Sequence, residues 1–439
     1  MEADSTTYND LNIFHQEEHF SIFNKLNFTK TAEGSQWLRT FFHHPFSEIG
    51  PITETQHIIR DISDQMHLWP TSVSNGTLMV ISKFYESGID SIPSKTDFIS
   101  TMSYKIFHAP DFSLLNYSLT HVADLLRGMA QLVTLFDHPG TAPVMHKHIL
   151  RAKDLIGQET AQELASRDAG KEFSLAETIR IGRYIRYQYK TQAQELISIF
   201  GRLDAWYSMA SATKHFQFAF PEFSSSDKPI LNAEGLYHIL LPNPVPYNVD
   251  MNTASNFIFL TGANMAGKST FIKAIGSAVF LAHLGMGVPA TKMQLTVFDG
   301  LLSNINVVDN IIKGESYFFN EVQRIKNTIL KINDNRKWLV LIDELFKGTN
   351  VQDAMKCSTI VIKGLSRISN SLFILSTHLY EISEELKAYP TISFRYFETE
   401  VKEDELQFSY QLKEGVSNDR IGYLILKREK VIEMLEKIK

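Results

Sequence analysis

A glycine-bracketed turn after a short apolar run constrains the fold more than any other part of the chain. Residues 256–260 lack polar alternation, as expected of a strand covered on both faces of a parallel sheet. The segment that follows, TGANMAGKST, carries the pattern G-x-x-x-x-G-K-[ST] from Gly262 to Ser269. A strand, a glycine-rich turn and a helix in this order predict a P-loop, and therefore an α/β domain that binds a nucleotide.

The residue types in this turn suit a triphosphate and a divalent cation. Gly262 and Gly267 let the backbone wrap closely, so that successive N–H groups face phosphate oxygens. The helix that begins near Lys268 adds its positive N-terminal end. We expect Lys268 to reach the β- and γ-phosphates and the Ser269 hydroxyl to bind Mg²⁺. The residues predicted to contact the nucleotide are Gly262, Ala263, Asn264, Met265, Ala266, Gly267, Lys268, Ser269 and Thr270.

Two further apolar runs end in polar residues. Residues 338–342 lead into Asp343 and Glu344, and residues 371–375 lead into Ser-Thr-His, ending at His378. Open α/β sheets bind ligands at the carboxyl ends of their strands, so these side chains should meet the P-loop. We expect Asp343 to hold Mg²⁺, directly or through water, and Glu344 to orient the attacking water. His378 is interpreted as a sensor of the γ-phosphate, with a structural histidine as the alternative.

The character of the sequence changes near residue 230. Residues 114–136 and 175–212 carry apolar residues at helical spacing, and short strand-like runs follow only later. A cluster of turn residues at 221–227 marks the best boundary. We therefore predict an all-α domain in residues 1–228 and an α/β P-loop NTPase domain with a C-terminal helical tail in residues 229–439.

Charge and cysteine content narrow the class of protein. The 439 residues contain 43 Lys and Arg against 49 Asp and Glu, so any contact with nucleic acid must come from a local patch. The single cysteine, Cys357, excludes an internal disulfide framework and fits a reducing compartment. Residues 274–290 are too short to span a membrane, and the N-terminus has no targeting pattern. We expect a cytoplasmic protein without a membrane partner.

One basic stripe is a candidate contact with DNA. Cationic residues recur at steps of three and four and are interleaved with tyrosines at 184 and 187. Such a stripe can face phosphates, and the alternative is an ordinary solvated helix face. The stripe consists of Arg180, Arg183, Arg186 and Lys190.

These segments resemble those of the MutS DNA mismatch-repair ATPases. The family's P-loop also contains an Asn-Met pair, with Pro and Gly where this chain has Ala263 and Ala266. LIDELFKGTN resembles the family's LLDEIGRGTS, except that Phe346 and Lys347 replace Gly and Arg. Residues 376–378 resemble its switch segment.

Residues 314–321, GESYFFNE, resemble the family's signature loop and match it at Ser316, Phe318 and Glu321. The resemblance implies a homodimer with composite ATP sites, in which Ser316 completes the site of the other subunit. The residues alone favour a simpler role for Ser316, as the cap of the following helix.

A weaker likeness extends through the N-terminal half. Residues 23–52 resemble the start of the family's helical core domain, and residues 203–210 resemble the end of its lever helix. The resemblance implies a helical core and lever domain before an ABC-ATPase-like mixed sheet with flanking helices. In this comparison the chain begins at the core domain, and we expect neither the mismatch-recognition and connector domains nor the clamp.

The resemblance also implies a function. We expect an ATPase that uses ATP and Mg²⁺, with Glu344, His378 and Lys268 as its catalytic residues, acting as a nucleotide-switched dimer in DNA mismatch repair or related DNA processing. DNA and a repair protein are then its expected partners. The alternative is a MutS-derived ATPase that has lost DNA binding and serves as a nucleotide-gated protein scaffold. Tyr247 can stack on adenine or pack in the core.

Overall fold

The computed structural model describes residues 1–89, 91–306, 317–402, 405–417, 430, 431 and 434. The chain divides into two compact units. Residues 26–43 and 53–214 form one, here called the helical unit, and residues 1–25, 44–52 and 215–439 form the other, here called the α/β unit.

The helical unit is built around a long central helix. This helix, α7 (Ala109–Phe136), buries the apolar stripe that the sequence predicts, including Leu115, Leu119, Val122 and Leu126. The predicted helical stretch at 175–212 is two helices, because the chain leaves helical structure at residues 188–189. The helices that carry residues of this unit are α3 (Ala32–His43), α4 (Ile49–Gln65), α5 (Asn75–Glu86), α6 (Phe98–Phe107), α7, α8 (Pro143–Ile156), α9 (Glu159–Ala165), α10 (Leu175–Tyr187) and α11 (Lys190–His215).

A buried carboxylate ties the start of α3 to α11. Asp204 is fully buried and accepts hydrogen bonds from the backbone N–H of Lys30 and of Thr31 (both 2.9 Å) and from the Thr31 hydroxyl (2.7 Å). A Cβ atom on Gly34 would lie 2.1 Å from Asp204 Oδ2, so the two helices approach too closely there for any side chain. This contact joins residues 30–34 to residue 204. These residues lie in the two segments, 23–52 and 203–210, that resemble the helical domain of MutS proteins.

The α/β unit contains a seven-stranded and a four-stranded sheet. The elements of this unit are β1 (Glu2–Ala3), α1 (Ser5–Asp10), α2 (Ile22–Leu26), β2 (Glu222–Ser224), β3 (Leu231–Leu236), β4 (Tyr247–Met251), β5 (Phe257–Thr261), α12 (Lys268–His283), β6 (Lys292–Thr296), β7 (Gly300–Asn304), α13 (Tyr317–Ile332), β8 (Trp338–Asp343), α14 (Val351–Leu365), β9 (Ser371–Ser376), α15 (Ser383–Leu386), β10 (Ile392–Lys402) and β11 (Glu405–Glu414). The larger sheet has the order β1-β7-β8-β9-β5-β10-β11 and is parallel except for the β10–β11 hairpin. The smaller sheet has the order β2-β6-β3-β4.

The three predicted strands are confirmed as β5, β8 and β9. Every residue of these strands is buried, which explains why their sequences show no polar alternation. The apolar stretch after the P-loop is α12, whose last thirteen residues, apart from Lys273, are buried within this unit. Within the described ranges, no helix combines the length and apolar character needed to cross a membrane.

The predicted boundary at residue 228 differs from the observed division. Residues 1–25 and 44–52 belong to the α/β unit, although they precede most of the helical unit in sequence. Strand β1 pairs in parallel with β7, and the buried Asp10 carboxylate accepts hydrogen bonds from the Ser303 hydroxyl (2.6 Å) and the Ile305 N–H (2.8 Å). The sequence did not predict this, because residues 1–25 join the α/β unit through contacts with residues almost 300 positions away. Such long-range contacts leave no periodic pattern of apolar residues in the short N-terminal segment.

Candidate nucleotide site

The carboxyl ends of three neighbouring strands form the candidate site. Strand β9 lies between β8 and β5, and Ser376 is in register with both Asp343 and Leu260. The P-loop therefore leaves the sheet beside the Asp-Glu pair and the Ser-Thr-His segment. The predicted convergence of these three motifs is present in the fold.

The P-loop backbone takes left-handed conformations at its two predicted glycines. Gly262 has φ 138° and Gly267 has φ 109°. A Cβ atom at Gly262 would lie 3.2 Å from the Phe397 carbonyl oxygen, so β10 also restricts this position. Met265, at the tip, has φ 68° and an exposed side chain. The turn thus needs glycine at both ends.

The side chain of Lys268 folds back onto the first residues of this turn. Its Nζ atom donates to the carbonyl oxygens of Gly262 (2.8 Å) and Ala263 (2.9 Å). Burial lowers the pKa of Lys268, although the nearby carboxylates of Glu344 and Asp343 oppose this effect. An ammonium group has three N–H donors, so these two bonds leave one to point at a ligand.

A serine hydroxyl and a carboxylate make a pair of oxygen ligands. Ser269 Oγ lies 2.5 Å from Asp343 Oδ2, and Ser376 Oγ donates to Asp343 Oδ1. Asp343 is 8% exposed, and these two hydrogen bonds orient its buried carboxylate. Hydroxyl and carboxylate oxygens are the ligands Mg²⁺ prefers, and Mg²⁺ usually completes its shell with water and phosphate. The residues present therefore fit a magnesium ion.

Glu344 carries the second carboxylate of the site. Its backbone has φ 63°, unusual for a residue with a side chain, and its N–H donates to the Ser376 carbonyl (2.9 Å). The carboxylate contacts His378 Nε2 at 2.5 Å and Lys347 Nζ at 3.0 Å. Burial acts to raise the pKa of Glu344, but the hydrogen bonds and charges of His378 and Lys347 outweigh burial and lower the pKa to about 2. The group is ionised at neutral pH.

A cavity of about 480 Å³ opens beside these residues. The P-loop, Lys268, Ser269 and Glu344 line one end. Residues 241–243, Val245, Tyr247 and Tyr410 line the remainder. Tyr247 is buried and packs edge-on against Phe271 and Phe397, so its ring serves the core as well as the cavity wall.

Tyr410 was not identified from the sequence. It is 41% exposed, has φ 53° and lies in β11, which reaches the cavity because the β10–β11 hairpin pairs beside β5. No local pattern in the sequence marks a tyrosine so far from the P-loop as a cavity residue.

The loop after Asp343 and Glu344 is held by Glu321, whose role was also missed. The Glu321 carboxylate is 4% exposed and accepts the backbone N–H groups of Lys347 and Gly348, each at 3.1 Å. Glu321 lies in the second turn of α13. Ser316, the predicted contributor to a partner's site, falls outside the described residues.

The basic stripe on α10 and the first residue of α11 is engaged within the helical unit. Arg180 pairs with Glu163 (2.7 Å), and Arg183 donates to the Ile92 carbonyl (3.0 Å). Arg186 donates to the carbonyls of Phe84 and Ser87. The three arginines therefore contact neighbouring loops and a helix end, so this face is not a purely solvated one.

Comparison with known proteins agrees with this geometry. Residues 258–436 match the family MutS domain V. The DNA mismatch repair protein MutS of Staphylococcus haemolyticus is 22% identical over 395 residues, covering 87% of this chain and 44% of that protein. The proteins of the same name from Bacillus subtilis and Petrotoga mobilis are 28% and 27% identical, covering 54% and 57% of this chain and 28% and 31% of those proteins.

The chain thus spans less than half the length of these curated relatives. The domain match includes the P-loop, the Asp-Glu pair and the switch segment. The match to the Staphylococcus haemolyticus protein covers 87% of the chain and therefore extends beyond this domain. Residues 258–436 of the α/β unit thus match the P-loop ATPase domain of the MutS family, and the chain is similar to MutS proteins over most of its length.

Proposed function

We propose that this protein binds ATP with Mg²⁺, hydrolyses it, and acts as a nucleotide-switched dimer in DNA mismatch repair or related DNA processing. The observation that carries the proposal is the arrangement of five side chains at one sheet edge. Lys268, Ser269 and Glu344 line the cavity with an ammonium, a hydroxyl and an ionised carboxylate. Behind them, Asp343 contacts Ser269 as the second magnesium ligand, and the His378 imidazole contacts Glu344.

Binding follows from the P-loop and the magnesium ligands. Lys268 lies across the turn and offers its remaining N–H to phosphate oxygens, while the N-terminus of α12 adds a positive backbone field. Ser269 and Asp343 would hold Mg²⁺, which supplies positive charge against the phosphates when it is bound. The base would lie against the part of the cavity wall formed by Leu241, Val245, Tyr247 and Tyr410, whose side chains are aliphatic or aromatic.

Hydrolysis depends on Glu344. An ionised carboxylate at the wall of the cavity accepts a hydrogen bond from a water molecule and orients that water for in-line attack. His378 contacts the same carboxylate and comes from the next strand, so it is placed to report on the charge at this end of the cavity.

The dimer and DNA parts of the proposal rest on the similarity to MutS proteins. The matched relatives are named DNA mismatch repair proteins. By the resemblance of residues 314–321, Ser316 would complete the partner's ATP site, and ATP would then stabilise the dimer by binding across it.

A second candidate function is a MutS-derived ATPase that acts as a nucleotide-gated protein scaffold without DNA. The observation that favours it is the engagement of Arg180, Arg183 and Arg186 within the helical unit. Guanidinium groups that already bind a carboxylate or carbonyl oxygens have fewer N–H donors left for phosphates, and the carboxylate of Glu163 also offsets the charge of Arg180.

Titration of the ATPase rate with duplex, branched and mismatched DNA separates these candidates. Stimulation that falls steeply with salt supports the DNA-processing function, and a flat response to all three DNAs supports the scaffold. The Lys268→Ala variant is the negative control for both, since it removes the ammonium group on which nucleotide binding depends. Failure of the purified protein to hydrolyse ATP would contradict the enzymatic proposal itself.

A further inference from the structure

Lys347 places an additional cation beside Glu344, a carboxylate that lines the cavity. Its Nζ atom lies 3.0 Å from Glu344 Oε2, and Glu344 lines the cavity together with Lys268 and Ser269. The side chain of Lys347 is 39% exposed, so its amine borders solvent rather than the core. Its positive charge also acts on the Lys268 amine.

The backbone that carries Lys347 is held by Glu321, whereas the Lys347 side chain is partly exposed and contacts Glu344. Glu321 binds the N–H groups of Lys347 and Gly348 from a buried position. The preceding residue, Phe346, has φ 61° and packs its buried ring 5.6 Å from that of Phe318. The flexible four-carbon stem of Lys347 can therefore exchange one anionic partner for another while the loop stays in place.

The charges at this end of the cavity make such an exchange favourable. Asp343 and Glu344 supply two carboxylates, and Lys268 and Lys347 supply two ammonium groups beside them. The terminal phosphate of a nucleoside triphosphate would add negative charge beside these two carboxylates. A nucleoside diphosphate lacks this phosphate group and adds no such charge. An ammonium that moves from Glu344 to a phosphate oxygen keeps a charge-assisted hydrogen bond and relieves the new repulsion.

We propose that Lys347 is a specificity-determining residue that distinguishes a nucleoside triphosphate from a diphosphate by exchanging Glu344 for the terminal phosphate. This inference rests on the proposed nucleotide-binding function. It assigns a role to the position at which the chain carries Lys where the family segment has Arg.

Equilibrium binding tests this role without turnover. Mg²⁺–ADP and the Mg²⁺ complex of a non-hydrolysable ATP analogue are titrated by calorimetry into the wild-type chain, Lys347→Met and Lys347→Arg. Lys347→Met should weaken binding of the ATP analogue about tenfold, or about 1.4 kcal/mol, and leave ADP binding unchanged. Lys347→Arg should preserve the preference, since it retains a cation. The matched control is Lys331→Met, because Lys331 is 36% exposed and lies 3.4 Å from Asp4.

Two results would overturn the inference. One is an equal change, or no change, in the affinities for the two nucleotides when Lys347 becomes Met. The other is recovery of triphosphate affinity in the double variant Lys347→Met with Glu344→Gln, because Lys347 would then act only by neutralising Glu344. Failure of the wild-type chain to bind either nucleotide would instead refute the proposed function.

Discussion

Ser269 Oγ and Asp343 Oδ2 lie 2.5 Å apart although 74 positions separate them in the chain. One atom belongs to the first turn of α12 and the other to the last residue of β8, so the fold itself assembles the two oxygen ligands. Asp343 is further oriented by Ser376, which comes from the next strand. We therefore expect nucleotide binding to depend on Mg²⁺ through these two oxygen atoms.

Asp343→Asn should raise the Mg²⁺ concentration needed for nucleotide binding. Asparagine keeps one oxygen at this position but removes the negative charge, so the metal is held less tightly. We expect the half-saturating Mg²⁺ concentration to rise by about tenfold or more, on the scale typical of altered metal sites. Fluorescent-nucleotide titrations at several Mg²⁺ concentrations would measure it, with Asp250→Asn, an exposed carboxylate of β4, as the control. An unchanged magnesium dependence would remove Asp343 from the metal site.

Glu344→Gln should separate binding from turnover. The amide is nearly isosteric but cannot accept a proton from water, so kcat should fall by at least about 100-fold. Nucleotide affinity should remain within a few-fold of wild type, since Lys268, Ser269 and Asp343 are untouched. Single-turnover hydrolysis and equilibrium binding measure the two quantities, and Glu381→Gln, an exposed carboxylate, serves as the control. Normal hydrolysis by the Glu344→Gln protein would contradict the catalytic assignment.

The ion pairs of Glu344 should also appear in the pH dependence of stability. Its folded-state pKa is about 2, below the ordinary value of 4.5, because His378 and Lys347 outweigh the effect of burial. A lowered pKa in the folded state stabilises the protein above pH 4.5, and this contribution is lost as the pH falls towards 2.

Thermal unfolding of the wild-type and Glu344→Gln proteins between pH 7 and pH 3 would measure this contribution. The wild type should be the more stable protein at pH 7, and the difference should narrow below pH 4.5. A difference in unfolding temperature that stays constant with pH would show that Glu344 does not gain these ion pairs on folding.

Gly34→Ala should destabilise the helical unit. The new Cβ atom would meet the Asp204 carboxylate at 2.1 Å, so Asp204 must shift and weaken its bonds to Lys30 and Thr31. Overpacking of this kind costs roughly 1–3 kcal/mol. Urea unfolding followed by tryptophan fluorescence would measure the loss. Gly88→Ala is the matched control, because a Cβ there meets nothing within 4 Å. Equal stability of the two variants would show that α3 and α11 can separate at little cost.

The chemistry-bearing motifs of the site were predictable because each lies in a contiguous segment. Strand β5 and the P-loop follow one another, and Asp343 and Glu344 end a second buried run. Their meeting also follows from the sequence, since parallel strands bring their carboxyl ends to one edge.

Residues that reach the site through tertiary pairing were not predictable in this way. Tyr410 arrives on a hairpin, and Glu321 acts on backbone N–H groups 26 and 27 positions away. The break between α10 and α11 was missed because apolar spacing continues across it, with Ile185 and Tyr189 both buried. The left-handed backbone of Phe346 was also not predictable. Bulky aromatic residues rarely adopt a positive φ angle, and the neighbouring residues in the sequence give no sign of one.

The parallel pairing of β1 with β7 has a consequence for biosynthesis. Gly300 is translated 298 codons after its partner Glu2. At about 5–20 residues per second, β1 waits on the order of 15–60 s before its neighbour exists. The large sheet therefore gains this edge strand only after the helices between β1 and β7 have had time to form.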